Sequence, residues 1–374
     1  MSKNYELKTA AVKLIPAPAL PYLPPAPKRY RPKLGLIGCG GITENHLKAA
    51  RALGVEVVAF SDVNRAAAEK RRAEFFPQAE VYEDYRQLLA RDDIAVVDIA
   101  THPAVRVPLI EAALRAGKHV LSQKPFVLDL VDGRRLVRLA DKKGLRLAVN
   151  QNGRWAPYFS YLLQAVRAGV LGPIHTLDLA MNWDHTWCQG TQFEKIRHLV
   201  LYDFGIHWFD ITAAVFAGRK PRQVFAQVAT APGQKMQPPM LAHAVVDYGD
   251  GLATLSFSAH AKFGAQERLA AVGAAGTLRG SGALCGIPEL VLHTSAGEAR
   301  VALTGNWFPD GFRGALGELL CAIEEDREPG NSARGNLASL ELCFAALRSA
   351  DTDRPQRPGR VSKLVAPRPV RRAR

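Results

Sequence analysis

The chain has 374 residues, of which 48% are hydrophobic and 22% charged. This is ordinary globular usage, which excludes a disordered or collagen-like chain, and the length predicts two domains. All uninterrupted apolar runs fall short of the roughly 18 residues that a transmembrane helix needs. Five scattered cysteines without Cys-x-x-Cys spacing argue against a disulfide framework and against structural zinc. We therefore expect a cytoplasmic protein that binds neither a membrane nor a metal.

The formal net charge of +14 is concentrated at the two ends of the chain. Residues 1–33 carry a net charge of +6 and residues 354–374 carry +8, so the body between them is neutral. A neutral body with basic tails lacks the basic face of a nucleic-acid binder. We expect solubilising or disordered ends. The alternative is a tail that docks on an anionic partner or on a neighbouring subunit.

Residues 1–32 form a proline-rich basic arm. Seven prolines lie between Pro16 and Pro32, which favours an extended, polyproline-like conformation. The prolines also interrupt any apolar stretch of the kind that a secretory signal requires. Because an arm with so little helix or strand potential cannot fold alone, we expect it to wrap around a partner subunit.

Residues 33–150 show the pattern of a doubly wound α/β domain. Short apolar runs alternate with amphipathic stretches of helical length, as in βαβ units around a parallel sheet. The run Ile94–Ala100 is almost continuously apolar, as expected for a parallel strand buried on both faces. The other predicted strands are Leu34–Gly38, Glu56–Ser61, His119–Ser122 and Leu145–Asn150, and the predicted helices are Glu44–Leu53, Arg65–Phe75, Asp84–Ala90, Arg106–Ala116 and Leu130–Lys143.

In residues 151–353 the regular alternation of short apolar runs and helical stretches ends. This segment predicts an α+β domain, followed by a basic tail over residues 354–374. Period-two stretches on either side of a Gly-Asp-Gly turn indicate a hairpin. The predicted helices follow Pro157 and cover Leu199–Phe216, Phe312–Arg327 and Asn336–Ser349, and the predicted strands are Arg222–Ala231, Leu241–Tyr248, Leu252–His260 and Gln266–Val272.

A glycine-rich turn joins the first predicted strand to the first helix. Its sequence is Gly-Cys-Gly-Gly-Ile-Thr, and Thr43 replaces the third glycine of the dinucleotide-binding fingerprint. Glycines at this spacing let backbone N–H groups approach a pyrophosphate at the start of a helix. Asp62 ends the second strand, where a carboxylate binds ribose hydroxyls and favours NAD over NADP. The residues assigned to the cofactor here are Gly38, Gly40, Gly41, Ile42 and Asp62.

A lysine at the end of the fifth predicted strand, in Gln123-Lys124-Pro125, resembles the E-K-P motif of the Gfo/Idh/MocA oxidoreductases. The resemblance extends from Lys33 to about Pro358 and leaves out only the tails. It implies a nicotinamide-binding Rossmann domain followed by an α+β domain with an open, mostly antiparallel sheet. Further matching segments are Gly38–His46, Ala116–Val120, Tyr202–His207 and Val272–Leu278.

This resemblance implies three catalytic residues. The family's lysine falls on Lys124, and its D-x-x-x-H pair falls on Asp203 and His207, at a spacing that puts both on one face of a helix. We expect His207 to act as the general base, oriented by Asp203, while Lys124 polarises the substrate oxygen.

Two segments depart from the family pattern. Gln123 replaces the glutamate before the lysine, and losing that carboxylate favours neutral Lys124. The loop after the third strand is expected to line the nicotinamide end of the site through Thr101, His102 and Pro103, together with Gln123. Arg106 stands where many relatives have histidine, and we expect it to be a residue of the helix start.

Two clusters are candidates for substrate recognition. Tryptophan rings stack on sugar faces, while arginine and histidine bind hydroxyl or carboxylate groups. The residues assigned to the substrate are Arg154, Trp183, His185 and Trp187. The neighbouring residues Asp184, Cys188 and His198 do not have the spacing of a zinc site, so no metal is expected.

The resemblance implies an NAD-dependent oxidoreductase, with NADP less favoured, that transfers a hydride between the cofactor and a hydroxyl carbon of a sugar or polyol. One alternative is a redox-neutral enzyme with tightly bound NAD, which cleaves, eliminates or epimerises through a transient keto intermediate. A second alternative is a non-catalytic nucleotide-binding regulator. A homo-oligomer, dimer or tetramer, is expected.

Overall fold

The computed structural model describes residues 13–364. Its first sheet has six parallel strands in the order β3-β2-β1-β4-β5-β6, the order of a dinucleotide-binding Rossmann domain. The predicted doubly wound domain is therefore confirmed. The strands are β1 (Lys33–Ile37), β2 (Val57–Ser61), β3 (Glu80–Tyr82), β4 (Ile94–Ile99), β5 (His119–Gln123) and β6 (Leu147–Asn150).

The helices of this domain cover both faces of the sheet. Five of its strands match predicted runs within about two residues because their side chains are apolar on both faces. Strand β3 was not predicted, since a three-residue edge strand is too short to show a pattern. The helices are α1 (Thr43–Ala52), α2 (Arg65–Phe75), α3 (Tyr85–Leu89), α4 (Pro103–Arg115) and α5 (Leu130–Lys142).

The second sheet has eight strands in the order β14-β13-β12-β11-β7-β10-β9-β8. Only β7 and β10 run parallel, so the expected open and mostly antiparallel sheet is confirmed. The predicted hairpin joins β9 to β10. The strands are β7 (Ile174–Asn182), β8 (Gln223–Ala229), β9 (Leu241–Asp247), β10 (Leu252–Ser258), β11 (Gln266–Gly273), β12 (Gly276–Gly282), β13 (Glu289–Thr294) and β14 (Gly297–Ala302).

One face of the second sheet packs on helices and the other is open. Along β10 the residues Ala253, Leu255 and Phe257 are buried, while Leu252 and Thr254 are exposed. This alternation follows from the period of two along a strand. The helices of this part of the chain are α6 (Pro157–Arg167), α7 (Ile206–Val215), α8 (Trp307–Glu324) and α9 (Ala333–Thr352).

Helix α8 returns the chain to the first domain. Leu316, Leu319 and Leu320 are buried in one core cluster with Leu34 and Phe60 of the Rossmann sheet. Burial of such leucines removes apolar surface from water on both domains at once. The two sheets are therefore held together by a helix that follows the second sheet in sequence.

The described part of the N-terminal arm packs on its own chain. Ile15 N donates to Glu298 O at 2.8 Å, and Leu14 forms an isolated parallel β-bridge with Glu298 of β14. Farther along, the Glu324 carboxylate accepts hydrogen bonds from the consecutive N–H groups of residues 28–30 at 2.6–2.8 Å. Disorder is therefore wrong for residues 13–32. Wrapping around a partner stays a prediction, and residues 1–12 lie outside the described residues.

The start of the C-terminal tail is also ordered against the body. Gln356 exchanges two backbone hydrogen bonds of 2.8 Å with Val224 in β8, and Leu130 N donates to Ser362 O at 2.7 Å. The expectation of a disordered end is thus wrong for residues 354–364, and residues 365–374 lie outside the described part. Between residues 13 and 364, no helix is both long and apolar enough to cross a bilayer.

Candidate active site

The glycine turn needs glycine for two different reasons. Gly38 has φ +89°, and a Cβ there would lie 2.9 Å from Thr101 Cγ2, so the fold itself requires glycine. At Gly40 and Gly41 a Cβ would meet no heavy atom of the described chain within 4 Å. Open space at the start of α1 leaves the backbone accessible to a phosphate, which fits a bound dinucleotide.

Asp62 lies against this turn at the end of β2. Its Oδ2 accepts a hydrogen bond from Cys39 N at 2.7 Å, and its Oδ1 accepts one from Asn64 N at 2.8 Å. Each carboxylate oxygen keeps a further lone pair for a ribose hydroxyl. Ile42, the residue before α1, exposes 38% of its surface beside the turn.

Arg71, a residue of helix α2, also touches the turn. Its side chain is only 11% exposed. Its Nη2 donates to Gly41 O at 3.2 Å, and its Nη1 pairs with Glu74 at 2.8 Å. The charge of Arg71 is thus held close to the expected phosphate site.

Lys124 lies at the carboxyl end of β5, the edge of a parallel sheet at which ligands bind. Its Nζ donates to Asp203 O at 2.8 Å and pairs with Asp203 Oδ1 at 3.2 Å. Both side chains are mostly shielded, at 17% and 16% exposure. Gln123 is buried, and its Oε1 accepts a hydrogen bond from Lys124 N at 2.7 Å. A carboxylate therefore lies beside the lysine after all, supplied by Asp203 rather than by residue 123.

His207 belongs to the first turn of α7, directly after a π-helical turn at Val200–Phe204. Such turns often occur at functional sites. Asp203 is bonded to Lys124 and makes no hydrogen bond to His207, so the expected Asp–His orientation is not what the structure shows. Within the described chain, His207 Nδ1 has no partner. Desolvation, helped by the Lys124 ammonium, lowers the pKa of His207 well below 6.5, so its imidazole is neutral at pH 7.

The loop after β4 closes the same end of the cleft. Thr101 Oγ1 is buried without a partner among the described residues. His102 caps helix α4 by accepting a hydrogen bond from Ala104 N at 3.3 Å, and the helix begins at Pro103. Arg106 lies in the first turn of α4, as expected for a residue of the helix start, but it is 1% exposed and donates to backbone carbonyls.

Gln151 is a site residue that the sequence analysis missed. It follows β6, whose last residue pairs with Gln123 beside Lys124. It is 1% exposed, yet neither its Nε2 nor its Oε1 finds a partner in the described residues. Buried amides are normally hydrogen-bonded. With Thr101 Oγ1 and His207 Nδ1, this amide fits a cleft completed by a polar ligand. Its position just beyond a parallel strand was the signal that could have identified it.

Arg154 is engaged within the protein. Its Nε and Nη2 pair with the buried Asp210 carboxylate at 2.5 and 2.8 Å, and Nη1 donates to Gly330 O. Asp210 also accepts a hydrogen bond from Ser339 Oγ at 2.6 Å. Because these donors are used inside the protein, the placement favours a structural ion pair over substrate binding.

The three aromatic candidates form one cluster, but only one of them is exposed. Trp183 is 1% exposed, and its ring lies 5.0 Å from that of Phe204. His185 is equally buried, and burial lowers its pKa to about 4. Trp187 is 61% exposed, and its Nε1 donates to His185 Nδ1 at 3.0 Å. Of these three, Trp187 alone presents a ring that a sugar face could reach.

Over residues 13–364 no group of three or more His, Cys, Asp or Glu side chains could hold a metal. The candidates for such a cluster have other partners. His198 pairs with Asp351 at 2.8 Å, and Asp184 accepts a hydrogen bond from Thr186 N at 2.9 Å.

The fold and the cleft together are those of a two-domain protein with a dinucleotide-binding Rossmann domain. Residues 33–151 match the oxidoreductase family model with an NAD-binding Rossmann fold, and residues 159–279 match the GFO/IDH/MocA C-terminal domain. The chain belongs to the Gfo/Idh/MocA family.

Its similarity to individual proteins is more distant. It is 33% identical over 193 residues to a D-apiose dehydrogenase of Paraburkholderia graminis, covering 50% of each chain. The chain spans about half the length of the first curated relatives it matches. It is 25% identical to an inositol 2-dehydrogenase of Rhizobium meliloti over 85% of this chain and 96% of that one.

A solved oxidoreductase of Agrobacterium radiobacter, crystallised with NAD+, L-tartaric acid and magnesium, has the same fold. The TM-score is 0.78 at 20% identity, covering 88% of this chain and 99% of that one.

Proposed function

We propose that the protein is an NAD-dependent oxidoreductase that transfers a hydride between the cofactor and a hydroxyl carbon of a sugar, polyol or sugar derivative. One observation carries the proposal. At the carboxyl edge of the Rossmann sheet, Lys124 is held by Asp203 from the second domain, close to a neutral His207. The named relatives, an apiose and an inositol dehydrogenase, support the substrate class.

The cofactor residues follow from the same geometry. The backbone at Gly40 and Gly41 and the N-terminus of α1 would hold the pyrophosphate. Asp62 would accept hydrogen bonds from the adenosine ribose and repel a 2′-phosphate, which favours NAD over NADP. When bound, the nicotinamide supplies the hydride acceptor or donor.

The side chains of the cleft divide the proton chemistry between them. Neutral His207 can take the hydroxyl proton of the substrate, because its Nδ1 has no competing partner within the described chain. Lys124 Nζ holds hydrogen bonds to Asp203 and keeps a third donor for the substrate oxygen. That donor stabilises negative charge as it develops on the oxygen.

The assembly and the compartment are part of the proposal. The exposed face of the second sheet carries both acidic and basic residues, among them Asp178, Arg268 and Arg279. Opposite charges on one surface suit pairing with a second copy related by a two-fold axis. We expect a homo-oligomer, with a mass that is a multiple of 40.7 kDa in light scattering. The five free cysteines favour a cytoplasmic location.

The Lys124→Met variant tests the proposed chemistry. Turnover on a sugar and polyol panel should fall by about 10² to 10⁴-fold, while NADH affinity stays near that of the wild type. The variant keeps an unbranched side chain one atom shorter than lysine and loses its hydrogen-bond donors. Unchanged turnover would remove Lys124 from the reaction.

The nucleotide carried by the purified protein separates the remaining reactions. The protein is denatured, and released NAD(H) and NADP(H) are quantified by mass spectrometry. An empty site that binds added NADH supports a dehydrogenase whose cofactor exchanges between turnovers. Near-stoichiometric NAD would instead point to redox-neutral chemistry, and failure to bind added nucleotide would exclude both reactions.

A further inference from the structure

Arg106 is a buried cation that binds three carbonyls instead of an acidic side chain. Only 1% of its surface is exposed. Its Nη1 donates to Gln123 O at 2.5 Å and to Pro125 O, and its Nη2 donates to Thr101 O. A buried arginine is usually paired with a carboxylate. Along the described chain no acidic oxygen lies within hydrogen-bonding reach of this one.

The three carbonyls belong to segments that form the same end of the cleft. Gln123 and Pro125 flank Lys124 on either side, and Thr101 follows β4. Thr101 in turn lies against the glycine turn, since a Cβ on Gly38 would be 2.9 Å from its Cγ2. One guanidinium therefore fixes the position of the Lys124 segment relative to the Thr101 loop.

The charge of Arg106 persists at neutral pH and is not neutralised nearby. Burial lowers its pKa to about 9, so the guanidinium is still protonated at pH 7. The titratable side chain that faces it is Tyr202, whose own pKa is raised by burial and which is therefore uncharged. The Asp203 carboxylate is paired with Lys124, and His207 is neutral.

We propose that Arg106 is a positioning residue for the reaction proposed above, on which this inference rests. It fixes Lys124 against the Thr101 loop and places an unneutralised positive charge at the nicotinamide end of the cleft. The oxidised nicotinamide ring is a cation and the reduced ring is neutral. A fixed positive charge there therefore favours binding of NADH over NAD+.

The experiment measures the dissociation constants of NADH and NAD+ at pH 8, by quenching of tryptophan fluorescence, for the wild type and three variants. Arg106→Lys keeps the charge, whereas Arg106→Gln and Arg106→His are neutral at this pH. We expect the ratio of the NAD+ to the NADH dissociation constant to fall roughly tenfold in the two neutral variants. It should stay within about threefold of the wild type in Arg106→Lys. kcat should fall more than KM rises in the neutral variants, because Lys124 loses its fixed position.

Lys118→Met is the matched control. Lys118 is a buried cation at the opposite end of β5, where its Nζ donates to Arg91 O at 2.7 Å. Its replacement should lower stability and leave the affinity ratio unchanged.

Three results decide the inference. A folded Arg106→Gln or Arg106→His variant with the wild-type affinity ratio would overturn it. If Arg106→Gln does not fold, equal ratios in Arg106→Lys and Arg106→His would also overturn it. A wild-type protein that binds neither nucleotide would refute the proposed function itself.

Discussion

Two glycines of the same turn should respond in opposite ways to replacement by alanine. Gly38→Ala forces a positive φ of 89° on a residue with a Cβ, which then lies 2.9–3.0 Å from Thr101 and the Ala100 backbone. The left-handed backbone costs about 1–2 kcal/mol and overpacking about 1–3 kcal/mol more, so we expect roughly 2–5 kcal/mol of lost stability. Gly40→Ala has open space and no positive φ, and its stability should change by less than about 1 kcal/mol.

Nucleotide binding should separate the two variants further. The Gly40 methyl group would occupy the space through which a phosphate reaches the backbone N–H groups. Losing one hydrogen bond to a charged group costs about 1.5–3 kcal/mol, which weakens NADH binding roughly 10- to 150-fold. Urea unfolding without nucleotide measures stability, and fluorescence titration measures NADH affinity. Wild-type affinity in Gly40→Ala would refute the assignment of this open space to the cofactor.

Two other regions give independent predictions. Burial raises the pKa of Glu267 from 4.5 to about 7, so the folded state holds a proton that the unfolded state releases between these pH values. Stability should then fall by about 3 kcal/mol as pH rises from about 4.5 to 7. In urea unfolding, the stability of Glu267→Gln relative to the wild type should rise by about that amount from pH 5 to pH 8. A stability difference that is the same at both pH values would contradict the reasoning. At the arm, Glu324→Gln weakens the carboxylate that holds residues 28–30. Trypsin should then cleave after Lys28 and Arg29 faster than in Glu325→Gln; equal rates would show that this contact does not hold the arm.

The sequence by itself determined the family and the elements of the first domain, except the short edge strand β3. Ile94–Ile99 is apolar at every position but one, Asp98, and such runs, alternating with amphipathic helices, leave a parallel sheet as the consistent arrangement. The glycine turn, Asp62 and Lys124 were identified because each lies at a strand end, where local pattern marks the boundary. These signals depend on residues close together in the chain.

The tertiary structure alone decided which side chains meet. Asp203 binds Lys124 across 79 residues of sequence instead of orienting its helical neighbour His207. Trp183 packs in the core while Trp187, four residues later, is exposed. Arg106 turns inward to three carbonyls, and Gln151 brings an unpartnered amide to the cleft of the described chain. The physical reason is that sequence periodicity shows which face of a helix or strand is buried. Which side chains contact that buried face depends on how the two sheets and helix α8 pack together.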